Sequence, residues 1–142
     1  MSTLYAAVAA SASALDAQRA RIEVAVSNMA NAESTRGPDG HPYRRREVVL
    51  SSNPVESFGE VLGRTEAVGV KVADVVQDPR PFPRRYEPSH PDADANGFVS
   101  TPNVEVSEEM VDMLGAARAY QANLTAIGLI RDTIQRALDL GK

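Results

Sequence analysis

Apolar residues recur every seven positions at the two ends of the chain and every two positions in its middle. In the first segment Val8, Leu15, Ile22 and Met29 form one line, with Leu4, Ala12, Ala25 and Val26 in the neighbouring stripe, while Asp16, Arg19, Arg21 and Glu23 lie elsewhere. Such a narrow seam predicts a long helix that packs in coiled-coil fashion. From about Ser2 to Ala32 it would run roughly 45 Å at about 1.5 Å per residue. It would end in Asn31-Ala-Glu-Ser-Thr-Arg-Gly37-Pro38, a helix-stopping sequence. The last segment repeats the pattern: Val106, Met113, Tyr120, Ile127 and Ile134 hold one heptad position, and Met110, Ala117, Leu124, Arg131 and Leu138 the other. Arg131 alone breaks the apolar or amphipathic series. The cap is either Ser107, with Glu108 and Glu109 near the positive end of the helix dipole, or Asn103 one turn earlier. Gly141 is the expected stop.

All nine prolines lie between these helices, from Pro38 to Pro102. There Arg46, Val48 and Leu50 alternate with Glu47 and Val49, and Val68, Val70 and Val72 with Gly69 and Lys71, as half-buried strands do. Arg84 to Glu87 and Gly97 to Ser100 are shorter strand candidates. Asp78-Pro-Arg-Pro-Phe-Pro83 is barred from a central strand because proline donates no ladder hydrogen bond. One small antiparallel sheet of about three to five strands is expected, and residues 52–66 receive no assignment.

The chain has 142 residues, the size of one domain, with 15 basic against 19 acidic side chains and a net charge of -4. That balance argues against nucleic acid as the main partner. Eleven alanines fall in the first 32 residues, tryptophan is absent, and tyrosine and phenylalanine number four and three. Alanine favours helix yet buries little area, so a thick self-sufficient core is not expected. Two long seams on so thin a chain favour a subunit of an assembly. With no cysteine there are no disulfides or thiolate sites. No run approaches the roughly 20 apolar residues of a membrane-spanning helix, and residues 1–15 lack the basic opening and Leu-rich stretch of a cleaved signal. Those two tests alone point to the cytoplasm.

Candidate chemistry is sparse. His41 and His90 each stand beside a proline with no second ligand at metal spacing, and read as loop histidines. Asp92, Asp94, Asn96 and Gly97 have the opening spacing of a calcium loop, but the position of the bidentate Glu is Asn103, so a polar turn is the better reading. Glu108, Glu109 and Asp112 crowd a helix start, where dipole complementation accounts for them without catalysis. Arg44-Arg45-Arg46 reads as a solvated, aggregation-resisting strand edge, with a contact for an acidic partner as the less common alternative. Asn28, Asn31, Ser34 and Thr35 at the end of the first helix, and Arg118, Tyr120, Gln121 and Asn123 within the last, are either caps and solvent-facing groups or register-fixing hydrogen-bond partners.

Ser27-Asn-Met-Ala-Asn-Ala-Glu-Ser-Thr-Arg36 resembles the N-I-A-N-x-x-T-x signature of bacterial flagellar rod, hook and hook-associated proteins, and Arg118-Ala-Tyr-Gln-Ala-Asn123 resembles that family's C-terminal helix motif. Gly40 to Val49, Tyr86 to Val99 and Pro102-Asn-Val-Glu-Val106 are similar to its proximal-rod members. Met29 stands where the family often has Ile, and Arg80-Pro-Phe-Pro83 departs from its pattern. The resemblance implies an α+β fold with long N- and C-terminal helices packed as a coiled-coil-like pair and a small antiparallel β-rich middle domain. Its parts would be a helix and turn over 1–36, the middle domain over 37–102 and a second helix over 103–142. It implies a non-enzymatic subunit of the flagellar basal-body rod that transmits torque across the periplasm, without cofactor, metal, small-molecule substrate, nucleic acid or membrane insertion. Its partners would be other rod proteins, copies of itself and the flagellar type III export apparatus, which carries such chains out of the cytoplasm without a cleaved signal. The subunit-packing residues would be Leu4, Val8, Leu15, Ile22, Val26, Met29, Val106, Met110, Met113, Ala117, Tyr120, Leu124, Ile127, Ile134 and Leu138. The family-motif positions are Asn28, Asn31, Thr35, Arg118, Tyr120, Gln121 and Asn123. A free-standing coiled-coil adaptor with a single partner is the alternative.

Overall fold

A computed structural model describes residues 2–54 and 68–140 of the chain. In order they form α1 (Ser2–Ala30), β1 (Arg46–Pro54), β2 (Val68–Gln77), β3 (Arg84–Tyr86), β4 (Phe98–Ser100) and α2 (Val106–Leu140). The architecture is α+β, with the two terminal helices packed on each other and the strands gathered between them in sequence. Of the unassigned segment 52–66, residues 52–54 extend β1 and the remainder lies outside the described residues, as does the expected stop at Gly141. No helix among the described residues is long and apolar enough to cross a membrane.

Helix α1 ends two residues earlier than the seam suggested, because Asn31 closes it. The Asn31 side chain donates back to the Ser27 carbonyl at 2.9 Å, and its backbone N–H bonds the same carbonyl at 3.2 Å. Helix α2 starts between the two expected caps. The Glu109 N–H bonds the Glu105 carbonyl at 3.1 Å, so Glu105 is the half-in residue and Ser107 already lies in the first turn, its hydroxyl donating to the Glu105 carboxylate at 2.9 Å. Asn103 is not a cap either, because its side chain is committed to the backbone of Arg45, Asp78 and Arg80.

Among the described residues the middle holds two separate antiparallel pairs, β1 with β2 and β3 with β4, rather than one sheet. Pro79, Pro81 and Pro83 occupy the stretch between them, and without their N–H groups that stretch cannot continue β2 as a strand. In the long ribbon Val49 pairs with Asp74 but Leu50 pairs with Val72, which leaves Ala73 as a bulge that bends the ribbon. An isolated two-stranded ribbon is marginal in water, and this one lies along α1, where the Val70 N–H donates to the Ser13 hydroxyl at 3.0 Å. In the short ribbon Tyr86 and Phe98 meet edge to face at 5.3 Å. Gly97 has φ of +80°, and a Cβ there would stand 2.9 Å from the Tyr86 ring, so only glycine makes that turn.

The helices run antiparallel: Asn28, near the end of α1, meets Glu109 in the first turn of α2, while Arg21 reaches Asp112 one turn further on. The most buried apolar side chains on them are Ala6, Ala17, Ala25 and Ala116. Around α1 this alanine stripe is rotated by more than a quarter-turn from Val8, Leu15, Ile22 and Met29, which are half-buried. On α2 the half-buried positions include Met113, Tyr120 and Ile127 together with Asn123 and Ile130. Met110, Ala117, Leu124 and Leu138 are exposed, and so is every residue from 131 to 140.

Candidate functional site

Where both helices meet the strands, the chain buries a knot of polar side chains instead of an apolar core. Asn28, Arg45, Asp78, Asn103 and Glu109 come from α1, the residue before β1, the residue after β2, the turn before α2 and α2 itself. Asn28 is fully buried, and all four of its hydrogen-bonding positions are used. Its amide donates to the Glu109 carboxylate at 2.9 Å and to the Arg46 carbonyl at 2.8 Å. Its oxygen accepts from the Arg46 N–H and the Tyr43 hydroxyl, both at 3.0 Å. The amide orientation follows from this set, since the reverse would aim oxygen at a carboxylate and a carbonyl.

Glu109, only 2% exposed, takes the Arg45 guanidinium on its other oxygen at 2.6 Å. Asp78, Glu47 and Asp112 stand 3.6 Å from the same guanidinium. Burial works against the Arg45 charge, but the hydrogen bond and field of Glu109, with Glu47 and Asp78 behind it, hold its pKa above the ordinary arginine value. Asn103 completes the knot. It accepts from the Arg45 N–H at 2.8 Å and donates to the Asp78 and Arg80 carbonyls at 3.3 Å. The Arg80 side chain, bonded at 2.8 Å, holds the Asp78 carboxyl below its usual range despite desolvation.

Two sequence readings are corrected here. Arg44-Arg45-Arg46 is not a uniformly solvated edge: alternation along an extended chain turns Arg45 inward while Arg44 and Arg46 face the other way. Glu109 does more than complement the dipole, because its carboxylate is the charge partner of that inward arginine. The period of two could have singled out Arg45, but nothing local in the sequence pairs it with a residue 64 positions away.

The family-motif residues divide. Asn28 fixes α1 against α2 and β1, Asn31 closes α1, and Thr35 donates to Asp92 at 2.9 Å, tying the end of the first motif to the loop before β4. Asn123 bonds the Ala119 carbonyl one turn back, within its own helix, at 2.8 Å. Tyr120 is half-buried, and Arg118 and Gln121 are exposed. Ser34 donates to Asn31 at 3.2 Å. Asp92 is engaged by Thr35 and Arg36, while Asp94 accepts the Asn96 and Phe98 N–H groups and pairs with Arg84. The Phe98 N–H, with Asn96 and Arg84, lowers the Asp94 pKa against desolvation. That pattern is the polar turn read from the sequence. No group of three or more potential metal-binding His, Cys, Asp or Glu converges among the described residues.

Paired terminal helices locked to a β-rich middle by a buried polar knot, with much apolar helix surface uncovered, define a protein built to be packed among others. The family described as flagellar basal body rod FlgEFG protein C-terminal matches residues 95–140. The chain is similar over 130 residues, at 45% identity and 92% coverage of both chains, to the flagellar basal-body rod protein FlgC of Escherichia coli O157:H7. It is 39% identical over 150 residues to the FlgC of Bacillus subtilis (strain 168), with 99% of each covered. It is 38% identical over 145 residues to that of Borreliella burgdorferi, with 95% of each covered. The chain belongs to the FlgC family of flagellar basal-body rod proteins.

Proposed function

We propose that the chain is a structural, non-enzymatic subunit of the proximal rod in the flagellar basal body, assembling with other rod proteins and with its own copies to carry torque across the periplasm. The observation that carries this reading is the uncovered seam of α2, in which Leu124 is 46% and Leu138 58% exposed in the single chain. Apolar surface of that extent on a long helix marks an interaction face.

In the rod, Val106, Met110, Ala117, Leu124, Ile134 and Leu138 pack against helices of neighbouring subunits, with Val26 from α1. Leu4, Val8, Leu15, Ile22, Met29, Met113, Tyr120 and Ile127 divide their contacts between the two helices of one chain and those neighbours. Arg118 and Gln121, exposed beside that seam, hydrogen-bond across it. Functionally the chain divides into helix and turn over 1–36, the β-rich body over 37–102 and the second helix over 103–142. Export through the flagellar type III apparatus delivers it to the rod.

Leu124→Asp tests the reading. Because Leu124 is half-exposed in the single chain, the variant keeps the folded strands and knot but loses motility in a strain with no other copy. Full motility with Leu124→Asp, or loss of the β-ribbon fold in the isolated variant, contradicts the packing role.

A further inference from the structure

The segment that leaves α1, residues 31–36, has a basic groove on one side and an acidic edge on the other. The groove has a volume of about 780 Å³ and is lined by Arg36, His41, Tyr43, Arg44, Arg46 and Phe82 among others. Arg44 lies 4.2 Å over the Phe82 ring and, among the described residues, donates to the Asp78 and Arg80 carbonyls, at 2.9 and 3.0 Å. Arg46 lies 5.8 Å from the centre of the Tyr43 ring. Neither guanidinium has a carboxylate partner among the described residues, and the aromatic rings hold both in place. Arg36 is paired with Asp92, and the one carboxylate in the lining, Asp39, is turned to the His41 N–H.

On the opposite side of the same segment, Glu33 and Glu105 line a second cleft. Both are exposed and neither has an ion-pair partner among the described residues. The one arginine lining that cleft, Arg85, is drawn away to Glu87 at 2.7 Å. Among the described residues, one cleft thus offers two arginines without a carboxylate partner, and the other offers two glutamates without a cationic one.

We propose that the groove of Arg44 and Arg46 receives the Glu33 and Glu105 edge of a second copy of this chain. This rests on the rod reading and goes beyond it by naming the contact between copies. Two different faces of one molecule meeting in this way form a heterologous contact, which repeats without closing when the rotation between copies does not return on itself. Arginine suits the role because its planar fork takes a carboxylate on two bonds and so fixes orientation as well as attraction.

The absence of cysteine from the chain makes the test direct. In a flagellated strain lacking its own copy, one full-length chain carrying Arg46→Cys is co-expressed with another carrying Glu105→Cys, and a short bismaleimide is applied to isolated basal bodies. The contact predicts a cross-linked dimer from the mixture and none from either variant alone. In parallel, Arg46→Glu and Glu105→Arg should each weaken the contact by about tenfold and depress motility, with the β-ribbons and the buried knot still folded. The chain carrying both changes should recover motility. Basal bodies that contain the chain yet give no mixed dimer, or a double variant no better than either single one, overturn the contact. If cells lacking the chain still swim, or the chain is missing from purified basal bodies, the rod reading itself fails.

Discussion

Asn28 shows how one side chain can be chosen by its hydrogen-bonding inventory. Two donors face a carboxylate and a carbonyl, two lone pairs face an N–H and a hydroxyl, and no other residue type of that length supplies this set. Asn28→Asp keeps the shape but removes both donors and sets a second carboxylate against Glu109. It should lower stability by about 3 kcal/mol or more at neutral pH, as read by urea unfolding. A loss under about 1 kcal/mol would mean that the knot relaxes around the change. Asp78 supplies a pH-dependent counterpart. Its folded pKa lies below the unfolded reference of 3.8, so it binds a proton less readily when folded. Its contribution is therefore complete above that reference and is lost as pH falls below it and through the folded value. Thermal unfolding should show a steeper acid-side fall in the parent chain than in Asp78→Asn, and equal slopes would deny Asp78 that role.

At the scale of elements, Arg45 and Glu109 join the start of β1 to the first turn of α2. Removing one member of a buried pair strands the other charge, whereas replacing both leaves two apolar side chains of similar reach. Arg45→Met and Glu109→Met should each be destabilising by about 3 kcal/mol, with the double variant losing at least about 2 kcal/mol less than their sum. Additive losses would show that the two side chains do not act as a unit. The helices themselves were legible in the sequence because their heptad lines are long. Which stripe would be covered was not. Alanines sit deepest, since small side chains let the backbones approach, and the larger residues at Val8, Leu15, Ile22 and Met29 end on the flank.

For the molecule as a whole, stability should be uneven. The knot and the adjoining ends of α1, β1 and α2 are tied by buried bonds, whereas residues 131–140 are exposed throughout. Hydrogen exchange on the dilute chain should find the slowest amides around Asn28, Arg45 and Glu109 and fast exchange over the last turns of α2. Those turns should become protected in isolated rods. Full protection of them in the dilute chain would show that one copy completes its own core.

The two helices, the strand positions and the family could be read from residue order, because period-seven, period-two and proline patterns are local and the motif residues are contiguous. That order also indicated a subunit, since its apolar seams exceed what a thin alanine-rich chain can cover. Folding in three dimensions settled that the strands form two ribbons, that Asn103 is a tie rather than a cap, and that Arg45 alone of three arginines turns inward to Glu109. The last two outcomes depend on groups brought together from 58 and 64 residues apart. A buried charge is settled by the partner it finds in space, and chain order does not encode that partner locally.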